Sequence, residues 1–217
     1  MSDVGASPDL EFFLDPVCPW CWITSRWVRN VQAEKDYSVR WRFISLKVLN
    51  EDRTAPDYSD DHRAVHVAGL SALRVLDAVR IEHGNDAVRR AYTATGTAIH
   101  VDRRRKELIA DPVAFMRTCL ESAGVDAALA EHALDDSHDA HLRAETAAAL
   151  ERTGPDVGTP ILTFAPGQEG EGSFFGPVVN KAPTGHDAVR LWEAVETLAT
   201  TGVAELKRSL RGDIDFT

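Results

Sequence analysis

The chain has 217 residues, 44% of them hydrophobic and 27% charged, which is the composition of a globular protein with a well-buried core rather than a disordered or fibrous one. Lys and Arg number 24 against 34 Asp and Glu, a formal charge of −10, and this balance disfavours nucleic acid and anionic membranes as partners. Only three cysteines are present, too few for a disulfide scaffold, and the N-terminus has neither a basic region nor an apolar run of signal-peptide length. No stretch is long and apolar enough to span a bilayer, so a reducing, cytoplasmic setting is expected.

In chain order, "LEFFLD" (Leu10 to Asp15) has the apolar run of a buried strand. Trp22, Ile23, Trp27, Val28 and Val31 then recur at helical spacing, which predicts a helix from about Pro19 to Ala33. "VRWRFISL" (Val39 to Leu46) sets Val39, Trp41 and Phe43 against Arg40 and Arg42, the alternation of a half-buried strand. From about Pro56 to Arg152 the pattern is helical. One helix is expected to stop at Gly84, a second to start at Asp111–Pro112 and stop at Gly124, and an Ala/Leu-rich stretch to end at Gly154. "TPILTF" (Thr159 to Phe164) and "SFFGPV" (Ser173 to Val178) restore strand character across the polar, Gly-rich turn "APGQEGEG", and "GHDAVRLWEAVETLAT" supplies a last helix.

That order predicts an α/β fold: a thioredoxin-like core, βαβ then ββα, with an all-helical domain inserted in the middle. The discontinuous core takes residues 1–55 and 153–217 and the insertion takes 56–152.

The chemistry points to "DPVCPWCW". A CxxC can be a buried structural pair, half of a zinc site or a redox dithiol. Here it falls at a strand-to-helix turn, with Pro19 suited to the first helical turn. Cys18 at a helix N-terminus gains thiolate character from unpaired amides and the helix dipole. Cys21, one turn on, lies within disulfide reach as the resolving thiol, and Trp20 remains at the rim as an apolar surface for substrate. Thr159–Pro160 in "VGTPIL" stands where a cis-proline would face the dithiol and let a bound substrate pair with the backbone of Thr159. A zinc site would need a second set of ligands, and no second CxxC exists, so no metal is expected. His132, His138 and His141 read as part of a solvated polar helix, Cys119 as a buried small hydrophobe, and the basic run Asp102 to Glu107 as a solvated face.

Together, "FLDPVCPWCWITSRWV", "ISLKVLNEDR", "AYTATGTAIH", "DVGTPIL" and "FFGPVVNKAPTG" resemble the DsbA-like oxidoreductases known as mycothiol-dependent nitroreductases, from about Leu10 to the last helix. The resemblance implies a cytosolic thiol–disulfide oxidoreductase that reduces small-molecule disulfides or nitroaromatic compounds, with protein disulfides as a further option. Its electrons would come from mycothiol as a low-molecular-weight thiol co-substrate, with no tightly bound cofactor; no GxGxxG for a nicotinamide or flavin nucleotide is present. It also implies that Cys18 is the nucleophile and Cys21 the resolver. Pro19, Trp20, Asn50, Tyr58, His100, Thr159 and Pro160 would line the substrate site. Related kappa-class transferases normally carry serine where this chain has Cys18, which favours redox chemistry over transfer. A redox-switched binding or chaperone module is the rival from another class. Six residues before Cys18, where thioredoxin-type enzymes often keep a buried carboxylate, the chain has Phe12; Glu11 and Asp15 stand nearby without an assigned role.

Overall fold

A computed structural model describes residues 7–54, 58–208, 210 and 212–216. Four strands form one sheet in the order β2-β1-β3-β4, with β1 (Leu10–Leu14), β2 (Val39–Phe43), β3 (Ile161–Phe164) and β4 (Gly172–Phe175). β1 and β2 run parallel, joined through helix α1 (Pro19–Glu34), and β3 is antiparallel to both β1 and β4. Every residue of β1 and β3 is buried, as central strands covered on both faces should be. Helix α7 (Gly185–Thr200) packs against α1 on one face, where Trp192 meets Trp27, Tyr37 and Phe164. This is the thioredoxin-like core expected from the element order.

Between β2 and β3 the chain is almost wholly helical. A short α2 (Leu46–Leu49) is followed by α3 (Asp60–Gly96), a π-helical turn at Thr97–Val101, α4 (Arg105–Ala110) and α5 (Pro112–Ser122). Two 3-10 segments, Ala127–Leu134 and Asp136–His138, lead into α6 (Asp139–Thr153). The expected boundary between core and insertion, at residues 55 and 56, lies outside the described residues.

Two expectations need correction, and one that looks broken stands. The second strand stops at Phe43 rather than Leu46: the Ser45 hydroxyl accepts from the Val48 amide at 3.3 Å and caps α2. The stop expected at Gly84 holds. Gly84 has φ +77°, and a second helical run follows it at once, so α3 is two helices on either side of one glycine. The stretch around His132, His138 and His141 is not one solvated helix but the two 3-10 segments followed by the start of α6, and His138 is only 8% exposed. Its Nδ1 lies 2.8 Å from buried Asp77 of α3, a tertiary contact that local periodicity does not encode.

Cys119 is buried in α5, whose N-terminus is capped by Asp111 ahead of Pro112. In the basic run, Arg104 pairs with Glu107 on the surface at 2.8 Å.

Candidate active site

The turn after β1 is built around Asp15. Its carboxylate accepts from the Val17 amide at 2.9 Å and from the Leu46 amide at 2.8 Å, while its carbonyl accepts from the Cys18 amide at 3.1 Å. One residue thus ties the end of β1 to α2 and aims the chain into α1. Cys18 is the N-cap of α1 and Pro19 occupies its first turn, as the spelling CPWC leads one to expect.

Two donors point at Cys18 Sγ. The Cys21 amide lies at 3.4 Å and the Thr159 hydroxyl at 3.0 Å. All three cysteines are free thiols, and the two at the turn are buried, Cys18 at 4% exposure and Cys21 at 0%. Burial opposes ionisation of Cys18, as does the charge of Asp15. Hydrogen bonds from the Cys21 thiol, the Thr159 hydroxyl and the Cys21 amide outweigh both and lower its pKa. Cys21 moves the other way: burial, then the neighbouring Cys18 sulfur, push it well above the ordinary thiol value. The two thiols are thus set apart: Cys18, at the helix N-terminus, gives up its proton the more readily, and Cys21 holds its own.

Asp15 is fully buried, and burial pushes its carboxyl up to about 6, although the Leu46 and Val17 amides pull it down. A titratable carboxylate behind the dithiol was not recognisable from sequence; the aspartate stands there, but its burial depends on α2 and α3 closing over it. Gly69 of α3 approaches so closely that a Cβ there would meet Val17 at 2.8 Å and Asp15 Oδ1 at 3.1 Å.

Thr159–Pro160 is a cis peptide, Pro160 sits just before β3, and the Thr159 side chain reaches the dithiol. The hydroxyl contact is a role that the sequence reading did not give to Thr159. Gly176–Pro177 is also cis, and the Pro177 carbonyl accepts from Thr24 of α1 at 2.9 Å. Trp20 is half-buried and packs against the core beside the turn.

His100 lies on the other flank, in the π-helical turn. The Pro16 carbonyl can only accept, so His100 Nε2 carries the proton that reaches it at 2.9 Å. Its ring is stacked between Trp22 and Phe216, with centroids 5.9 and 5.8 Å away, and burial lowers its pKa to about 4. It is therefore a neutral ring that braces the turn.

Asn50 and Tyr58 form a separate group on the α2 side. The Asn50 amide donates to the Leu46 carbonyl at 2.8 Å and accepts from Arg53 at 3.4 Å. The Tyr58 hydroxyl meets His66 Nδ1 at 2.9 Å, and its ring lies under Arg63. Among the described residues neither side chain hydrogen-bonds the dithiol; their link to it runs through α2 and the Leu46–Asp15 bond. The geometry thus gathers Cys18, Pro19, Trp20, Cys21, Thr159, Pro160 and His100 about one turn and leaves Asn50 and Tyr58 in their own group on the α2 side.

Comparison with known proteins agrees with this fold. A family model described as "Rv2466c-like: Mycothiol-dependent nitroreductase Rv2466c" matches residues 17–208. "Uncharacterized protein Rv2286c" of Mycobacterium tuberculosis (strain ATCC 25618 / H37Rv) is 33% identical over 207 residues, covering 92% of this chain and 81% of that protein. A putative protein disulfide isomerase from Nitrosomonas europaea superposes with a TM-score of 0.58 at 14% identity, over 91% of this chain and all of its own. That likeness speaks for the fold.

Proposed function

This chain belongs to the Rv2466c-like family, and from that premise we propose that it is a thiol–disulfide oxidoreductase whose Cys18–Cys21 dithiol reduces disulfides or nitroaromatic compounds with electrons from mycothiol. The observation that carries the reading is the pair of donors converging on Cys18 Sγ at a helix N-terminus, opposite a protonated Cys21.

In the disulfide reaction, Cys18 thiolate attacks one sulfur of the substrate and expels the first thiolate. Cys21 then loses its proton, attacks Cys18 and expels the second, leaving a Cys18–Cys21 disulfide and two substrate thiols. With a nitroaromatic bound against Trp20, the dithiol gives up two electrons and two protons. The nitro group becomes nitroso, one oxygen leaves as water, and the same disulfide remains. One mycothiol attacks Cys18 to form a mixed disulfide, and a second resolves it, returning the dithiol and releasing mycothiol disulfide. Neutral His100 holds Pro16 and Trp22 in place throughout. Asp15 sets the local field, its charge opposing that of Cys18 thiolate. Asn50 and Tyr58 would border the bound thiol or substrate, and Thr159 and Pro160 would supply the backbone edge. In this reading residues 1–55 and 153–217 carry the chemistry and 56–152 walls it, in a cytoplasmic setting where thiols stay reduced.

The test is single-turnover oxidation of the reduced enzyme by mycothiol disulfide and by a nitroaromatic, then re-reduction by mycothiol against glutathione, followed by tryptophan fluorescence. Fast cycling selective for mycothiol is expected. Cys18→Ser should abolish turnover, and Cys21→Ser should accumulate the mixed disulfide. Full activity in Cys18→Ser overturns the proposal.

A further inference from the structure

Well separated in function from the dithiol, the helical region brings together two imidazoles and a carboxylate spelled H-x2-D-x2-H: His132, Asp135 and His138. His132 lies near the end of the first 3-10 segment and His138 ends the second, and Asp135, in extended conformation at φ −90° and ψ 104°, is the break between them, so the chain folds the two histidines together across it.

Their ligand atoms converge. His132 Nδ1 lies 3.0 Å from His138 Nε2 and 3.4 Å from Asp135 Oδ2, and His138 Nε2 lies 3.9 Å from the same oxygen. Metal bonds of about 2.0–2.1 Å place neighbouring ligands of a tetrahedron about 3.3 Å apart, so the triangle is already near the size that one ion requires.

A buried partner orients the set. Asp77, 1% exposed, faces His138 Nδ1 at 2.8 Å, and a carboxylate can only accept there. His138 Nδ1 therefore carries its proton, and in the neutral ring Nε2 turns a lone pair towards His132 and Asp135. A carboxylate behind a ligating imidazole is the arrangement that fixes its tautomer and raises its basicity. The nearby cations do not compete for the site, because Arg80 is held by Asp77 and Glu145, and Arg74 by Asp139.

We propose that His132, Asp135 and His138 form a site for one divalent transition-metal ion of borderline softness, such as Zn2+ or Co2+, which pins the 3-10 segments to α3. Two nitrogens and one carboxylate oxygen suit such ions better than Mg2+ or Ca2+. His132 and Asp135 are only half-buried, which leaves the fourth coordination position open to water.

The experiment uses the untagged full chain with Cys18 and Cys21 oxidised to the disulfide, so that the dithiol cannot compete. Co2+ is titrated by visible absorption and Zn2+ by calorimetry, with thermal unfolding followed alongside. The expected result is one ion per chain, a tetrahedral Co2+ spectrum without thiolate charge-transfer bands, and a raised Tm. His132→Ala and Asp135→Asn should each weaken binding by at least about tenfold, and Asp77→Asn by about 10–100-fold. Should Asp77→Asn fail to fold, the half-exposed His132 and Asp135 carry the test. Absence of saturable binding, or equal affinity in His132→Ala, overturns the proposal.

Discussion

The Thr159 hydroxyl is one of three groups whose hydrogen bonds lower the Cys18 pKa. Thr159→Val keeps the shape of the side chain but removes the donor 3.0 Å from the sulfur. The pKa of Cys18 should rise, and alkylation of the reduced enzyme at neutral pH should slow; a thiolate titration followed in the far ultraviolet reads both wild type and variant. An unchanged titration would mean that the Cys21 thiol and amide suffice. Asp15 acts in the opposite sense, since its charge raises the Cys18 pKa. Asp15→Asn should lower that pKa further. Asp15 also has a signature in stability. Its folded pKa, about 6, lies above its ordinary 3.8, so the folded state holds the proton more tightly. Stability is therefore full below the lower value and is lost as pH rises through about 6, by on the order of 3 kcal/mol. Urea unfolding across that window should show the decline in the wild type and a flatter profile in Asp15→Asn. The aspartate stands in plain view in "LDPVC", but its burial could not be read there, because Leu46 and Gly69 come from elements far along the chain.

Among the elements, α3 is the one on which the CPWC turn leans. A Cβ at Gly96 would fall 2.2 Å from Trp22 Cε3, a distance no side chain tolerates. Gly96→Ala should push the indole off His100, alter tryptophan fluorescence and destabilise the fold by about 1–3 kcal/mol, as overpacking does. An unperturbed melting curve would show that Trp22 has room to move. Element existence was legible where one signal ran unopposed: α1 from its apolar spacing, α5 from Asp111 ahead of Pro112, α7 from periodicity. Ends and breaks were less so. Ser45 continues a β-like alternation in sequence yet caps a helix. Gly84 carries the signal of a helix end and does end the first run of α3, with a second run starting at once.

Across the whole molecule, the sheet and the helical region are joined by a buried charge network. Glu145 of α6 accepts from Arg42 at 2.7 Å, from Arg80 at 3.2 Å and from the Phe43 amide at 3.0 Å. Glu11 of β1 takes Arg40, Arg42 and Arg152. Glu145→Ala would leave two partly buried guanidinium groups and a strand amide short of an acceptor. A loss of about 3 kcal/mol is expected by chemical denaturation, little relieved by salt because the network is shielded from it. A loss below about 1 kcal/mol would mean that Glu11 and Asp77 take over the freed cations. No helix among the described residues is long and apolar enough to cross a membrane. What the sequence by itself determined is local: the CPWC turn at a helix start, the Thr-Pro before a strand, and the order of strands and helices that makes the core thioredoxin-like. These are readable because each depends on neighbours within a few residues. The tertiary structure alone decided which titratable groups were buried and which met. It placed Thr159 against Cys18, buried Asp15 beneath Gly69, stacked His100 between Trp22 and Phe216, and brought Asp77 behind His138. Desolvation and hydrogen bonding, the forces that set their chemistry, act through space rather than along the chain.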